Sequence, residues 1–250
     1  MHSKNVLIFD ISSEYGHFRK FNTTTSPLTY SVPTRPAIAG LVGAILGIER
    51  EISAGKFKEG TVPLADLLAK DKASIGVQIL APIKKTNIAF NLINTKDSFF
   101  EIAQRTQIEF ELLKNPSFRI FISWNNDKLF DELVERVENN RTHFSPYLGL
   151  SQFTCKTDFF GLKKAVLSTN EDFEEVLTAV NLGNVNAQNP IQFNYSKDFK
   201  YTSDTMPVQM RSDRIVTEYA EIITEINGQS ISVKSNQIYQ IEKYGNILFL

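Results

Sequence analysis

Two stretches of helical periodicity, each set between β-prone apolar runs, constrain this chain more than any other feature. The first run, Val6–Ile11, is short, apolar and followed by turn-forming residues, which predicts a buried strand. Thr34 ahead of Pro36 marks a helix start, with a capping hydroxyl and an early proline. Beyond it Ile38, Leu41, Val42, Ile45 and Leu46 recur at the spacing of one helical face. Residues 72–96 carry apolar runs broken at Pro82, and Ile108–Leu113 and Phe118–Ser123 flank Asn115-Pro116. These predict either two long strands or a sheet strand with a projecting hairpin. A second amphipathic helix is predicted over Asn126–Asn139, with Leu129, Leu133, Val134 and Val137 opposite an acidic face, and Phe144–Phe160 reads as extended. The order β-α-β-β-α-β over residues 5–160 is that of a split-βαβ, ferredoxin-like α+β domain.

Residues 161–250 follow another pattern. A short helix is expected over Glu171–Val180, starting near Thr169, and Asn181–Pro190 is a loop rich in Asn and Gly. Tyr219–Ile226 and Ser230–Ile241 flank Asn227-Gly228, the strongest short-range hairpin signal. The expectation is a smaller β-rich unit packed on the first, with the boundary near Gly161.

At 250 residues the chain can bury a substantial core as one large domain or two small ones. Its net charge of −1 provides no global basic field, so a polyanionic partner has to be held by local patches. The single cysteine, Cys155, excludes an internal disulfide and a multi-cysteine zinc site, and has no base near it in sequence, which makes it core material. No His or carboxylate cluster has metal-ligand spacing, and no cofactor is implied. The opening MHSKNVLIFDISSE reaches Asp10 after a short apolar run, unlike a signal peptide, and the apolar stretch Ala37–Ile48 is too short for a bilayer. A cytoplasmic protein with no membrane partner is expected.

The local patch is YGHFRKFNTTTSPLTYSVPTR, residues 15–35, which contains no Asp or Glu although the chain carries slightly more acid than base. It offers His17, Arg19, Lys20 and Arg35, four aromatic rings, and hydroxyls such as Thr24. Gripping RNA by its backbone needs cations, hydroxyls and free N–H groups, with aromatics to stack on splayed bases. The predicted helix start at Thr34 points its positive end toward this stretch. Arg35, in the first turn, opposes that dipole unless an anion sits there. An ordinary solvated, well-capped loop fits the same composition. Residues 72–96 also lack acid. Lys84 and Lys85 after Pro82 suit either a phosphate backbone or a strand edge protected from aggregation.

Gly40, Gly43 and Gly47 form a second stripe on the first helix, at roughly 1 kcal/mol per interior glycine. Either tight packing or close approach of a ligand would account for it. The helix lacks the Gly-Lys-Ser/Thr ending of a phosphate loop. His17, Lys20 and Tyr30 are the one set able to compose a metal-free RNA-cleaving site, with a base for the 2′-hydroxyl and a cation for the phosphorane.

The blocks YGHFRK, TTTSPLTYSVPTRPAIAGLVGAILGIER and SPYLGLSQF, in that order, resemble the Cas-five family of CRISPR-associated proteins, and more narrowly its type I-B form. With the strand order between them, the resemblance covers most of residues 1–160. It implies an RRM-like ferredoxin domain, a thumb hairpin within 72–114, and a smaller β-rich C-terminal unit. It also implies a subunit that grips the 5′ handle of the crRNA at one end of Cascade. Such a subunit touches the repeated backbone subunit and the large subunit, and meets target DNA indirectly. Carried over, the matched blocks contribute His17, Arg19, Lys20, Tyr30, Pro33, Thr34 and Arg35, then Tyr147, Gly149 and Ser151. A branch of the family cuts the repeat with a Tyr, Lys and His set. Tyr30 matches, but no adjacent Lys-His pair exists here, so a non-catalytic RNA cap is the expectation.

Overall fold

The computed structural model describes residues 3–20, 26–49, 56, 59–93, 105–185, 188 and 190–250. Strands dominate. In chain order the first half holds β1 (Ser3–Ser12), β2 (Tyr15–Gly16), α1 (Arg35–Leu46), α2 (Leu64–Leu67), β3 (Ala73–Ile79), β4 (Lys85–Ile93), β5 (Arg105–Lys114), β6 (Ser117–Trp124) and α3 (Asp127–Glu138). There follow β7 (Lys156–Leu167), β8 (Glu174–Val176), β9 (Val180–Asn181), β10 (Ile191–Gln192), β11 (Tyr201–Met210), β12 (Val216–Glu225), β13 (Ile231–Val233), β14 (Tyr239–Ile241) and β15 (Gly245–Ile247).

Periodicity explains the helices. The Thr34 hydroxyl accepts from Ala37 N–H at 3.3 Å, and Gly47, at φ 76°, ends α1 in the left-handed region that glycine adopts without strain. Every residue of the predicted apolar face is buried. The helix expected over Asn126–Asn139 forms as α3, capped by Asn126 through Leu129 N–H, and Phe130 joins Leu133 and Val137 in the core.

A nine-stranded sheet runs β10-β13-β8-β15-β14-β7-β1-β6-β3, antiparallel throughout apart from the β15–β8 pair. Register sets its two faces. Leu7, Phe9, Ile75, Val77, Ile120 and Ile122 point toward the α1 and α3 core. Val6, Ile8 and Phe121 point the other way, under Ile241, Ile247 and Phe249. Each such large apolar side chain contributes about 1.5–3 kcal/mol when buried.

Of the two arrangements open for residues 72–124, the structure has the projecting hairpin. β3 pairs with β6 in the large sheet, whereas β4 pairs with β5, and β5 with β2, in a separate sheet, β2-β5-β4. The hairpin tip, 94–104, lies outside the described residues.

The C-terminal half departs from expectation at several points. No helix forms over Glu171–Val180; β8 and β9 stand there instead. The spacing of Val176 and Val180 suits a helix, but β8 is flanked by β13 and β15, which take up its backbone groups. Asn227-Gly228 does turn the chain, with Gly228 at φ 85° and the Glu225 carboxylate accepting from Asn227 N–H and Gln229 N–H. Yet its arms do not pair. β12 pairs with β11 and β9, while the chain after Gly228 enters β13 of the large sheet. Of the expected extended segment Phe144–Phe160, residues 156–160 lie in β7, and the part before Lys156 is a loop closed by a Tyr147–Thr154 bridge. Position 161, the expected boundary, falls inside β7, and β14 extends the same sheet from the β7 edge. Among the described residues, no helix is long and apolar enough to cross a membrane.

Candidate functional site

The acid-free stretch folds as a strap across the base of the β4–β5 hairpin. Tyr15 and Gly16 pair with Lys114 and Leu113 of β5. The chain then doubles back, with Lys20 N–H donating to Leu28 O, Tyr30 N–H to Phe18 O, and Phe18 N–H to the Thr29 hydroxyl. Thr24, one of the predicted contacts, lies outside the described residues.

Glu111 on β5 organises the strap. Its N–H donates to Pro27 O at 3.0 Å and its carbonyl accepts from His17 Nδ1 at 2.8 Å. Its carboxylate accepts from Thr29 N–H at 2.9 Å and from Lys85 Nζ at 3.1 Å. Lys85 Nζ also donates to Thr29 O at 2.8 Å. His17 is buried, stands edge-on to Phe110 with centroids 5.3 Å apart, and burial pulls its pKa below the usual imidazole value. Rings continue the contact from Phe110 to Phe90, Phe153 and Tyr15, so the loop before β7 is tied to the hairpin base.

On the other side β11 holds the strap. Lys20 pairs with Asp204, its ammonium 5.6 Å from the Tyr30 ring centre. The Tyr30 hydroxyl shares its proton between Lys20 O at 3.0 Å and Thr205 O at 2.8 Å. Burial pushes the Tyr30 pKa up, and the nearby Asp204 and Tyr219 add to this. A stretch that avoids acid in sequence therefore gains two carboxylates in space.

Arg35 does not face the strap. It is buried between α1, β3 and β11, its Nη2 donating to Ala73 O at 2.6 Å and its Nη1 to Val208 O at 3.4 Å. Pro33 and Thr34 are buried, with Thr34 spent on the helix cap. Lys84 is exposed at the hairpin base, and its carbonyl accepts from Lys114 N–H. Arg19 is exposed and bridges backbone-to-backbone with Thr29.

The predicted second block meets the first. His17 N–H donates to Leu148 O at 3.0 Å, and Gly149, at φ 88°, sits where a Cβ would overlap the His17 carbonyl oxygen. Ser151 is exposed in the turn. Tyr147, half exposed, lines a groove of about 600 Å³ along α1 together with Gly149. The strap contacts thus unite His17, Arg19, Lys20, Tyr30, Lys85 and Gly149, with Lys84 next to them at the hairpin base, whereas Arg35 is bonded to β3 and β11. Sequence reasoning missed Glu111 and Asp204, which no local pattern marks.

A family model described as CRISPR-associated protein (Cas_Cas5) matches residues 6–224. Among solved structures, the chain is similar to a CRISPR protein from Archaeoglobus fulgidus at 12% identity, with 97% of each chain covered and a TM-score of 0.51. It is also similar to a chain of the Type III-B Cmr-beta complex bound to cognate target RNA, at 14% identity, 92% and 86% coverage and a TM-score of 0.50. A chain of a CRISPR RNA-guided surveillance complex aligns at 12% identity over 91% of both, with a TM-score of 0.46. At these identities the likeness is one of fold. No curated protein matches the sequence.

Proposed function

The chain belongs to the CRISPR-associated Cas5 family, and from that premise we propose that it is the non-catalytic subunit capping the crRNA 5′ handle in a type I complex, of the I-B form. Its protein partners are the backbone and large subunits of that complex, it meets target DNA indirectly, and it works in the cytoplasm. The β7-β1-β6-β3 order, with α1 and α3 as the connecting helices, supports a ferredoxin-like, RRM-like reading of residues 1–160. The β4–β5 hairpin supports the thumb, and residues 161–250 serve as the smaller β-rich unit.

One observation carries the reading. Segments far apart in sequence, the strap, the hairpin base and the Leu148–Gly149 turn, are bonded to one another, and Arg19 of the strap and Lys84 of the hairpin base are both exposed. The ion pairs of Lys20 and Lys85 fix the strap's shape, and phosphates meet the exposed side chains of Arg19, Ser26 and Lys84. The non-catalytic reading draws support from the groups a nuclease would need. His17 is buried with its Nε2 out of reach of solvent, Lys20 is bonded to a carboxylate and Tyr30 to two carbonyls.

The test is to incubate the protein with labelled repeat RNA in EDTA across a salt series, beside an Arg19→Glu/Lys84→Glu variant. Intact RNA, a salt-sensitive shift and at least tenfold weaker binding by the variant are expected. Equal binding by the variant would remove the proposed surface. Cutting in EDTA that leaves a 2′,3′-cyclic phosphate would replace the cap by an endoribonuclease.

A further inference from the structure

The three glycines of α1 have different causes. At Gly43 a Cβ would stand 2.5 Å from Leu64 Cδ2, so the close approach of α2 accounts for it. Gly47 has the left-handed conformation of a helix end and abuts His143. Gly40 has neither reason: it is exposed, and a Cβ there would meet no atom within 4 Å. A glycine inside a helix costs about 1 kcal/mol relative to alanine, and the described packing of the chain does not offset it.

Gly40 lies where two openings meet. The larger is the groove of about 600 Å³ beneath the exposed rings of Phe144 and Tyr147. The smaller, about 90 Å³, lies between α1, α2 and the end of β11; Gly40 and Leu64 line both. Its walls are largely apolar, with Pro36, Ala39, Leu68 and Val208 among them, and none of its described lining residues is acidic.

Arg35 also lines this smaller cleft, and it is only 3% exposed. Two of its nitrogens reach carbonyl oxygens, but Nε is buried with no acceptor among the described residues. Burial draws its pKa down to about 10, an effect that the charges of Glu218 and Asp71 only partly offset, and no carboxylate is bonded to it among the described residues. A buried donor left unmade is costly, and a buried charge more so. Arg211 and Arg214 stand on the rim, Arg211 paired with Asp213.

We propose that this cleft docks a protein partner, which lays an apolar segment along the Gly40 face of α1 and brings an Asp or Glu carboxylate to Arg35. The bare helix face admits another backbone closely, the apolar walls gain from being covered, and the carboxylate supplies the bonded acceptor that Arg35 Nε lacks. RNA fits less well, because a phosphodiester brings no apolar surface to cover these walls, whereas an amphipathic peptide segment does. The inference rests on the reading that the chain works inside a complex.

The experiment assembles the tagged chain with the other protein subunits of its complex and crRNA, with the photo-crosslinker p-benzoylphenylalanine placed at position 40. Irradiation is expected to give a protein adduct, mapping to a partner peptide in which an acidic residue neighbours apolar ones. An RNA adduct, or none, overturns the proposal. In parallel, Gly40→Trp is expected to retain the melting temperature of the free chain. It should lower partner retention after nuclease treatment at least tenfold, while the isolated chain binds repeat RNA as before. Full partner retention by this variant also overturns the docking site. Loss of RNA binding by the wild-type chain would instead count against the handle-cap reading alone, since the adduct is read on protein.

Discussion

His17 shows what a single side chain does here once its surroundings are known. Its Nδ1 donates to Glu111 O, its Nε2 is buried without a partner among the described residues, and its ring lies against Phe110. Burial lowers its pKa below the ordinary imidazole value of 6.5, so the folded protein resists protonation there more than the unfolded chain does. Stability from this group is therefore complete above pH 6.5 and falls as pH drops below it, by up to about 1.4 kcal/mol per pH unit. His17→Asn retains a donor for Glu111 O and cannot titrate. Urea midpoints at pH 7, 6 and 5 should fall less steeply for the variant than for the wild type, and parallel slopes would show that His17 does not titrate with unfolding. Arg35 illustrates the same lesson. Its place in the first turn of α1 invited an anion-site reading, and the side chain in fact spans from the helix to carbonyls of β3 and β11.

At the scale of elements, β5 is the strand on which the strap depends. Glu111 reaches Pro27, His17, Thr29 and Lys85 at once, combining backbone and side-chain contacts. Its ion pair with Lys85 is partly solvated and contributes little. Thr29 is fully buried, however, so its N–H has no water to replace the carboxylate. Glu111→Ala should cost about 1–3 kcal/mol, concentrated in the strap. Hydrogen exchange of the Thr29 amide should then rise about tenfold to a hundredfold while α3 amides change little. A uniform rise across the fold would mean that the strap is not a separate unit. The hairpin itself was legible beforehand, since Pro82 and Asn115-Pro116 punctuate its ends. Its departure from the main sheet was one of two open arrangements. In the structure β6 pairs with β1 and β3 pairs with β6 at the sheet edge, while β4 and β5 leave that sheet as the hairpin.

For the whole molecule, the large sheet makes the two halves depend on each other. Ile8, Val6 and Phe121 are covered by Ile241, Ile247 and Phe249, and β1 pairs with β7 through Val166, beyond position 160. A chain ending at residue 160 would expose several large apolar side chains at about 1.5–3 kcal/mol each, against a typical total stability of about 5–15 kcal/mol. We expect that fragment to show no cooperative unfolding transition by circular dichroism. A sharp transition would mark residues 1–160 as an independent domain. By itself the sequence determined the pieces whose causes are local: the cap at Thr34, the apolar faces of α1 and α3, the punctuation of the hairpin, and the three blocks that mark the family. Only the tertiary structure decided what those pieces meet. Lys20 and Asp204 are 184 positions apart, and the β8 segment gave up a helix for strands supplied from beyond residue 230. Periodicity and capping act over a few residues, so they report the conformation of a segment. Pairing and charge compensation act through space between segments, and no local pattern records which partner arrives.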